Sequence, residues 1–328
     1  MSEAEATREG SRDQRPGREA VPGAKGGRKG KGGGERLMVP KAEPGSYYGR
    51  PIIKQPTWKA LDIAGYLFLG GLAGGSSALA LVPELTGRRA MARAGKIGAL
   101  GAISLSTAAL IHDLGRPERF LNMLRVFKPT SPMSMGSWIL LAYGPAAGVA
   151  AVTDVTGLFP RVGRAATGWA ALTGPAVVSY TAVLISDTAV PAWHGGYREM
   201  PFVFAGSAAA SAAGLALLAA PTAQTAPARG AAVLGAALDL TATSLMQRSL
   251  GEAAETQRKG RAGTLMLAAK VLTAAGAAGA TLTARSRAGS ALAGLALLAG
   301  SACTRFGIFE SGRASAADPR YTVMAQRR

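Results

Sequence analysis

The sequence predicts an all-α fold: a polytopic membrane protein with eight transmembrane helices and a disordered N-terminal tail. Only 17% of the 328 residues are charged, whereas 48% are hydrophobic. After residue 57, Ala, Gly, Leu and Val form long apolar runs that short polar loops separate. Residues 1–45 are instead rich in Gly, Lys and Arg. A segment of that composition has too little apolar surface to fold, so we expect a disordered tail.

A helix needs about 20 mostly apolar residues to cross a bilayer, and eight segments reach that length. The predicted spans are residues 58–82, 94–114, 134–157, 165–190, 200–220, 226–249, 263–283 and 287–308. Asp154 and Asp239 make the third and sixth spans the less apolar ones. The membrane domain therefore covers residues 46–310, and residues 311–328 form a short C-terminal tail.

Small residues in the first span predict close contacts between helices. Gly70 and Gly74 form one pair of small residues four positions apart, and Gly71 and Gly75 form an overlapping second pair. Such pairs let helix backbones approach closely, which favours association in lipid, where the hydrophobic effect is lost.

Lys and Arg in the loops predict the orientation. With the N-terminus on side one, side one also holds the C-terminus and the loops at 115–133, 191–199 and 250–262. Side two holds the loops at 83–93, 158–164, 221–225 and 284–286. The basic excess on side one predicts a protein of the cytoplasmic membrane with both termini in the cytoplasm, although Arg88, Arg89 and Arg93 argue the other way.

The net charge of +18 does not predict nucleic-acid binding. Thirteen of the 37 basic residues precede Leu61, and most others lie in short loops beside apolar runs. Basic loops next to membrane spans are what orientation in a bilayer requires, and they meet the anionic lipid surface. The expected surroundings are therefore a lipid bilayer and protein partners.

Ionisable side chains near side one predict a site for a quinone. Ionisable groups inside a bilayer are costly and are usually functional. A quinone needs hydrogen-bond donors for its carbonyls and a supply of protons for its reduction, which His, Tyr and carboxylates provide. The candidates are His112, Asp113, Tyr180 and Asp187 for quinone and proton handling, with Tyr180, His112 and Asp62 in direct contact with the quinone.

Structural roles remain open for the same residues. Asp62 and Asp187 can sit at the headgroup level, and Asp113 can pair with Arg116 one turn away. Tyr180 can be an ordinary packing aromatic. Deeper in the membrane, Asp239 and Lys270 fall at similar depth in spans six and seven, which predicts a buried charge pair.

Other cofactor chemistry is disfavoured. His112 and His194 are the only histidines and Cys303 is the only cysteine, so neither a haem nor a cysteine-ligated iron–sulfur cluster is expected in this chain. No metal-ligand cluster or nucleophile motif occurs. Arg305 in the last span is expected to extend its charged head to the interface.

The loop between spans two and three predicts a docking surface. In residues 117–128, Phe120, Leu121, Leu124 and Phe127 recur at helical spacing with basic residues between them, as in a helix that lies along the interface. Six basic residues flank this face and are the predicted docking residues: Arg50, Lys54, Arg116, Arg119, Arg125 and Lys128.

Three segments resemble the polysulfide reductase membrane-subunit family, called NrfD-like. They are the stretch Tyr47–Lys59 before the first span, the stretch Asp113–Trp138, and the stretch Ser179–Leu184 followed by Pro191-Ala192-Trp193. The resemblance covers about residues 45–310. It implies an eight-span subunit without a redox centre of its own, which binds a quinone within its first four helices. It also implies that Tyr180 is the tyrosine that contacts the quinone.

The predicted function is therefore a membrane anchor subunit of an oxidoreductase. The resemblance implies a ferredoxin-like iron–sulfur partner and a catalytic oxidoreductase subunit, with menaquinone or ubiquinone as the exchangeable substrate. A secondary transporter is the main alternative from another class, and a purely structural anchor without a quinone site is the third. The substrate of the partner enzyme and the direction of electron flow do not follow from the sequence.

Overall fold

The computed structural model describes residues 52–114 and 117–326, and the regular structure in these ranges is helical. The predicted tail, residues 1–45, lies outside the described residues. The helices are α1 Ala60–Leu85, α2 Arg89–Asp113, α3 Pro132–Thr156, α4 Pro160–Ser186, the short α5 Pro191–His194, α6 Met200–Ala219, α7 Ala226–Ser249, α8 Gly260–Leu282, α9 Arg287–Ala317 and α10 Pro319–Gln326. Three 3₁₀ segments, Pro117–Arg125, Thr222–Gln224 and Gly251–Gln257, lie in the connections.

Each of the eight predicted segments coincides with one long helix, and most boundaries agree within a few residues. Three ends differ more. The second helix begins at Arg89 rather than at residue 94, α4 begins at Pro160 rather than at residue 165, and α9 continues to Ala317, beyond the predicted end at residue 308. These extensions carry polar residues, which a search for apolar runs excludes.

Seven of the described helices are long and apolar enough to cross a membrane. The helix α7 is as long as the others but is not among these seven. It carries Arg229, Asp239 and Arg248, which lower its hydropathy. The prediction of eight spans is thus confirmed for seven helices, and the sixth predicted span is a helix of lower hydropathy.

Local signals explain where several helices begin and end. Proline occupies the first turn of α3 and α4, where its missing N–H costs no hydrogen bond. The Ser286 hydroxyl caps α9 by accepting a hydrogen bond from Gly289 N at 3.1 Å. Gly157 ends α3 with a φ of 73°, a left-handed conformation that favours glycine.

The long helices form two groups with matching contacts. In the first half, α1 to α4, the helix α1 packs against α2 and α4, and α3 packs against α2 and α4. In the second half, α6 to α9, the helix α6 packs against α7 and α9, and α8 packs against α7 and α9. The two halves meet mainly through α1, α4, α6 and α9.

The prediction of close helix contacts at the first span is confirmed. A Cβ added to Gly174 of α4 would lie 2.5 Å from the carbonyl oxygen of Gly74, and one added to Gly75 would lie 2.6 Å from the carbonyl oxygen of Ala208 in α6. The two overlapping glycine pairs thus face different neighbours. Gly74 allows α4 to approach α1, and Gly75 allows α6 to approach it.

Candidate functional site

The structure pairs two of the predicted site residues at the side-one end of the first half. His112 Nδ1, at the end of α2, lies 3.0 Å from Asp62 Oδ2, at the start of α1. The Asp62 side chain is 13% exposed, whereas the His112 side chain is 65% exposed. A shielded carboxylate thus orients an imidazole that reaches the surface. This arrangement suits a group that takes up a proton and passes it inward.

Tyr180 lies inside the bundle, six residues before the side-one end of α4. It is 7% exposed and belongs to the buried cluster that also contains Tyr66 and Tyr143. Its ring fills the space beside Gly136 of α3, where an added Cβ would lie 2.8 Å from Tyr180 Cδ2. Within the described residues, its hydroxyl forms no hydrogen bond to another side chain.

The other two predicted acids, Asp113 and Asp187, lie near the side-one end of the first half but do not contact the His112–Asp62 pair. Asp113 is half-buried at the last position of α2, next to His112. Asp187 is exposed and follows the last residue of α4. Within the described residues, neither carboxylate has a hydrogen-bond or ion-pair partner. Arg116, the alternative partner of Asp113, lies outside the described residues.

The predicted docking loop is fixed to the start of α3. Trp138 Nε1 donates to the Val126 carbonyl at 3.2 Å, and the Ser134 hydroxyl donates to the same oxygen at 2.8 Å. The Phe127 and Trp138 rings form an edge-to-face pair with centroids 5.8 Å apart. Leu121 and Phe127 remain more than half exposed. The loop is thus held against the bundle while it presents apolar and basic side chains outward.

The predicted docking residues are only partly described. Lys54, Arg125 and Lys128 are exposed. Arg50 and Arg116 lie outside the described residues. Arg119 lies in the 3₁₀ segment, but its side chain is outside the description.

The predicted charge pair between Asp239 and Lys270 is wrong. Lys270 Nζ donates to Gln247 Oε1 at 3.1 Å, whereas Asp239 accepts a hydrogen bond from the Thr243 hydroxyl at 3.4 Å. The cation near Asp239 is Arg305 of α9. Equal depth along two helices does not fix which way each side chain points, and here Lys270 and Asp239 face different neighbours.

The expectation that Arg305 reaches the interface is also wrong. Arg305 is 1% exposed, its Nη2 donates to the Phe204 carbonyl at 2.9 Å, and its guanidinium carbon lies 3.6 Å from the centre of the Phe204 ring. The reason is packing: the guanidinium is held against Phe204 of α6, so the side chain does not extend along α9, which continues for roughly 18 Å past Arg305.

The sequence interpretation missed a second polar cluster in the first half, at side two. Lys96 of α2 lies 2.7 Å from Glu84 of α1 and 3.0 Å from Asp154 of α3. Arg93 lies 2.7 Å from the same Asp154. We call these four residues the Lys96 cluster. One signal was available: Asp154 and Glu84 both lie near the side-two end of their spans, at the level of Lys96.

Within the described residues, seven helices that are long and apolar enough to cross a membrane form a bundle, which indicates an integral membrane protein. The family described as polysulphide reductase, NrfD, matches residues 54–239, which is more than half of the chain. The chain therefore belongs to this family, whose members are membrane subunits of oxidoreductase complexes. A comparison with curated proteins gives no match.

Proposed function

We propose that this protein exchanges electrons and protons between a ferredoxin-like iron–sulfur subunit and a membrane quinone, menaquinone or ubiquinone. The observation that carries the proposal is the His112–Asp62 pair at the same end of the first half as Tyr180 and the docking loop. The quinone carbonyl accepts a hydrogen bond from Tyr180, whose hydroxyl has no described protein partner. His112 supplies or removes the proton, with Asp62 holding its imidazole in place.

Electrons reach the quinone from the partner, because this chain is expected to hold no redox centre. The reaction balances as one quinone plus two electrons and two protons, which form the two O–H bonds of the quinol. Asp113 and Asp187 lie at the side-one surface beside the site and exchange protons with water. The catalytic oxidoreductase subunit binds to the iron–sulfur partner rather than to this chain.

Quinone binding tests the site directly. Tyr180→Phe keeps the ring and removes only the hydroxyl, so a lost hydrogen bond of about 0.5–1.5 kcal/mol predicts binding weaker by about two- to tenfold. The measurement is the Kd of the purified full chain in lipid nanodiscs for a short-chain menaquinone and ubiquinone. Tyr197→Phe, an exposed tyrosine outside the site, is the matched control. Equal binding by wild type and Tyr180→Phe contradicts the proposed contact.

Turnover tests the proton role. Asp62→Asn removes the carboxylate that faces His112 but keeps the shape of the side chain. We expect a quinone-dependent rate lower by about tenfold or more at saturating quinone, since general acid–base catalysis contributes at least that much. The rate is measured on the assembled complex in membranes, with assembly checked in parallel. A wild-type rate in Asp62→Asn would contradict a role of the His112–Asp62 pair in proton transfer.

Charge reversal tests the partner surface. Arg125→Glu with Lys128→Glu should release an acidic iron–sulfur subunit at moderate salt, because surface charges set orientation and association rate. Arg161→Glu with Arg164→Glu is the matched control, since both arginines are exposed at the start of α4, at the opposite end of the first half. Unchanged co-purification of the first variant would place the partner elsewhere.

The proposal includes eight crossings with both termini in the cytoplasm, so α7 also spans the bilayer. Of the three charged residues of α7, Asp239 is buried, Arg229 is half-buried, and Arg248 is exposed in the last turn, next to side one. Reporter fusions after Gln224 and after Glu252 should therefore report opposite sides. Fusions after Gly87 and after Gly260 should do the same. The same side for the first pair would mean that α7 does not cross.

A further inference from the structure

An open groove on the outer face of α7 combines apolar, hydroxyl and charged side chains. It is lined by Leu240, Thr241, Ser244, Leu245 and Arg248, and its volume is about 300 Å³. We call these five residues the α7 groove. Four of them are exposed and Leu240 is half-buried. The groove therefore faces away from the protein interior, and in the proposed eight-span topology it meets lipid.

The length of the α7 groove matches one leaflet of a bilayer. Leu240 lies eight residues before Arg248, which corresponds to roughly 12 Å along the helix axis. Arg248 is in the last turn of α7 and so lies at the headgroup level of side one. Half of the hydrocarbon core is about 15 Å thick, so the groove extends nearly to the middle of the membrane. This length suits a lipid acyl chain that runs beside α7.

Arg248 gives the side-one end of the groove a positive charge. Other basic residues near this end have carboxylate partners, since Lys259 pairs with Glu255 and Arg320 pairs with Asp318. Within the described residues, Arg248 has neither an ion-pair nor a hydrogen-bond partner. A guanidinium at the headgroup level attracts anionic lipid, and it can donate two parallel hydrogen bonds to one phosphate.

A second cation lies beside the same turn of α7. Lys270 Nζ donates to Gln247 Oε1 at 3.1 Å, and Gln247 directly precedes Arg248. Lys270 is ten residues inside α8, so its side chain extends toward side one to reach this turn. In the part of the chain that the structure describes, no carboxylate lies within ion-pair distance of Lys270. Two cations thus raise the potential at the side-one end of the groove.

We propose that the α7 groove binds one anionic phospholipid of the side-one leaflet. The Arg248 guanidinium donates to the headgroup phosphate, and one acyl chain lies along Leu240 and Leu245. The lipid neutralises Arg248 and covers the outer face of α7, the long helix that is less apolar than the seven candidate spans. This site goes beyond the proposed function, because it depends on the crossing of α7 and not on quinone.

Nonspecific lipid contact is the main competing explanation. Any phospholipid would then fill the groove, and the charge of its headgroup would not matter. A second copy of this chain would also cover the groove. A free phosphate ion would bind Arg248 but would leave the rest of the groove unused. Each of these alternatives predicts a different result when lipid binding is measured.

Headgroup selectivity tests the role of Arg248. Native mass spectrometry of the purified full chain measures the binding of phosphatidylglycerol and phosphatidylcholine with the same acyl chains. We expect wild type to bind one phosphatidylglycerol in preference to phosphatidylcholine. Arg248→Gln should weaken this binding by about fivefold or more, since one basic residue near an anionic lipid contributes about that factor.

Arg258→Gln is the matched control, because Arg258 is also exposed on side one but does not line the groove. Its phosphatidylglycerol binding should equal that of wild type. Equal binding of the two lipids by wild type, or equal weakening in Arg248→Gln and Arg258→Gln, would overturn the proposed site.

Filling the groove tests the position of the acyl chain. Ser244→Trp occupies the groove without any change of charge, so phosphatidylglycerol binding should weaken severalfold. Ser179→Trp is the matched control on α4. Both serines are exposed, and each hydroxyl donates to the carbonyl four residues earlier, at 2.7 Å for Ser244 and 2.9 Å for Ser179. Wild-type affinity in Ser244→Trp would place the lipid outside the groove.

The same preparations test the other occupants. Displacement of phosphatidylglycerol by excess inorganic phosphate, beyond the effect of chloride at equal ionic strength, would show that phosphate alone is recognised. A wild-type dimer that Ser244→Trp converts to a monomer would assign the groove to a second copy. Either result overturns the lipid site.

Quinone binding separates this proposal from the proposed function. Arg248→Gln should leave the quinone Kd unchanged, because Arg248 lies in the second half. Selective phosphatidylglycerol binding by a protein that binds no quinone would overturn the quinone site alone. Loss of lipid selectivity with normal quinone binding would overturn the lipid site alone.

Discussion

The two halves of the membrane domain share one scaffold but hold their polar side chains in different places. Each half joins its first and last helix through a contact between two glycines. A Cβ on Gly174 would lie 2.5 Å from the Gly74 carbonyl oxygen, and a Cβ on Gly294 would lie 2.5 Å from the Gly214 carbonyl oxygen. The pairs of contacting helices also correspond. The second half thus repeats the packing of the first.

The first half has paired polar groups at both ends, whereas the second half also holds two charged side chains in its interior. His112 and Asp62 lie at side one and the Lys96 cluster at side two, with half-exposed or partly exposed members in each. In the second half, Arg305 and Asp239 are almost fully buried. Toward side two this half is closed by alanine and leucine side chains, among them Leu217 and Leu297.

This difference indicates that packing and chemistry are set by separate residues. Small residues that repeat in both halves build the scaffold, whereas the titratable groups of the proposed site and of the Lys96 cluster lie at the ends of the first half. The family match covers the first half from Lys54 onward and ends at Asp239, inside α7. We therefore expect substitutions in the second half to change stability and those in the first half to change turnover.

The largest expected effect is at Arg305. Arg305→Met removes the guanidinium that donates to the Phe204 carbonyl and leaves the buried Asp239 carboxylate without its nearby cation. Leaving a buried charge uncompensated costs about 3–5 kcal/mol. The double variant Arg305→Met with Asp239→Leu should recover much of this loss. Thermal unfolding of each variant in lipid nanodiscs measures the effect.

Lys96→Met is the matched variant in the first half. Its carboxylates are partly solvated and Asp154 keeps its contact with Arg93, so we expect a smaller loss of stability. We expect the second half to affect stability and the first half to affect turnover. This expectation would be wrong if Arg305→Met kept full stability while it abolished quinone-dependent turnover.

An intermediate effect is expected at the two glycine contacts. Gly174→Ala and Gly294→Ala each force two helix backbones apart, and overpacking of this kind costs about 1–3 kcal/mol. Only Gly174→Ala should also weaken quinone binding, because it lies in α4 six residues before Tyr180. Unfolding temperature and quinone Kd are measured together.

Gly65→Ala and Gly101→Ala provide the controls, since an added Cβ at either position meets no atom within 4 Å. In these two variants the helix should gain stability, by about 0.5–1 kcal/mol, because alanine loses less backbone entropy than glycine. Equal loss of quinone binding in Gly174→Ala and Gly294→Ala would show that quinone binding depends on both halves rather than on the first half alone.

The helices and their small-residue contacts were predictable from sequence because both depend on local patterns. An apolar run of sufficient length predicts a span, and Gly71 and Gly75 in one span predict a close neighbour. The side-chain partners were less predictable. Asp239 and Lys270 share a depth, but the rotation of each helix about its axis depends on packing across the whole bundle, which spacing along one helix does not encode.

The position of a residue along its predicted span also explains which site residues the sequence predicted. Asp62 and His112 lie at span ends on the same side, and the structure joins them at 3.0 Å. Lys96 was missed because it follows a group of loop arginines and looks like one more basic residue at a span end. Its burial comes from carboxylates on two other helices, and only the assembled bundle brings these together.

The smallest expected effect is at the side-one edge of the second half, where Glu255 joins the 3₁₀ segment to the C-terminal helix α10. Glu255 Oε2 accepts a hydrogen bond from the Tyr321 hydroxyl at 3.2 Å, and Lys259 pairs with the same carboxylate. The hydrogen bond from Lys259, followed by that from Tyr321, holds the pKa of Glu255 below its usual range. This stabilisation is present above the ordinary pKa of a glutamate and is lost as the pH falls through the lowered value in the folded protein.

Acid should therefore loosen α10 slightly. We expect the protection of residues 319–326 against hydrogen exchange, relative to the intrinsic rate at each pH, to fall by about twofold on acidification, because exposed ion pairs contribute little. Glu255→Gln should raise exchange at neutral pH to the same level and remove the pH dependence. Glu252→Gln, an exposed glutamate in the same 3₁₀ segment, is the control. If acidification instead alters exchange around His112 and leaves α10 unchanged in both variants, the titrating contact lies in the first half and the assignment to Glu255 is wrong.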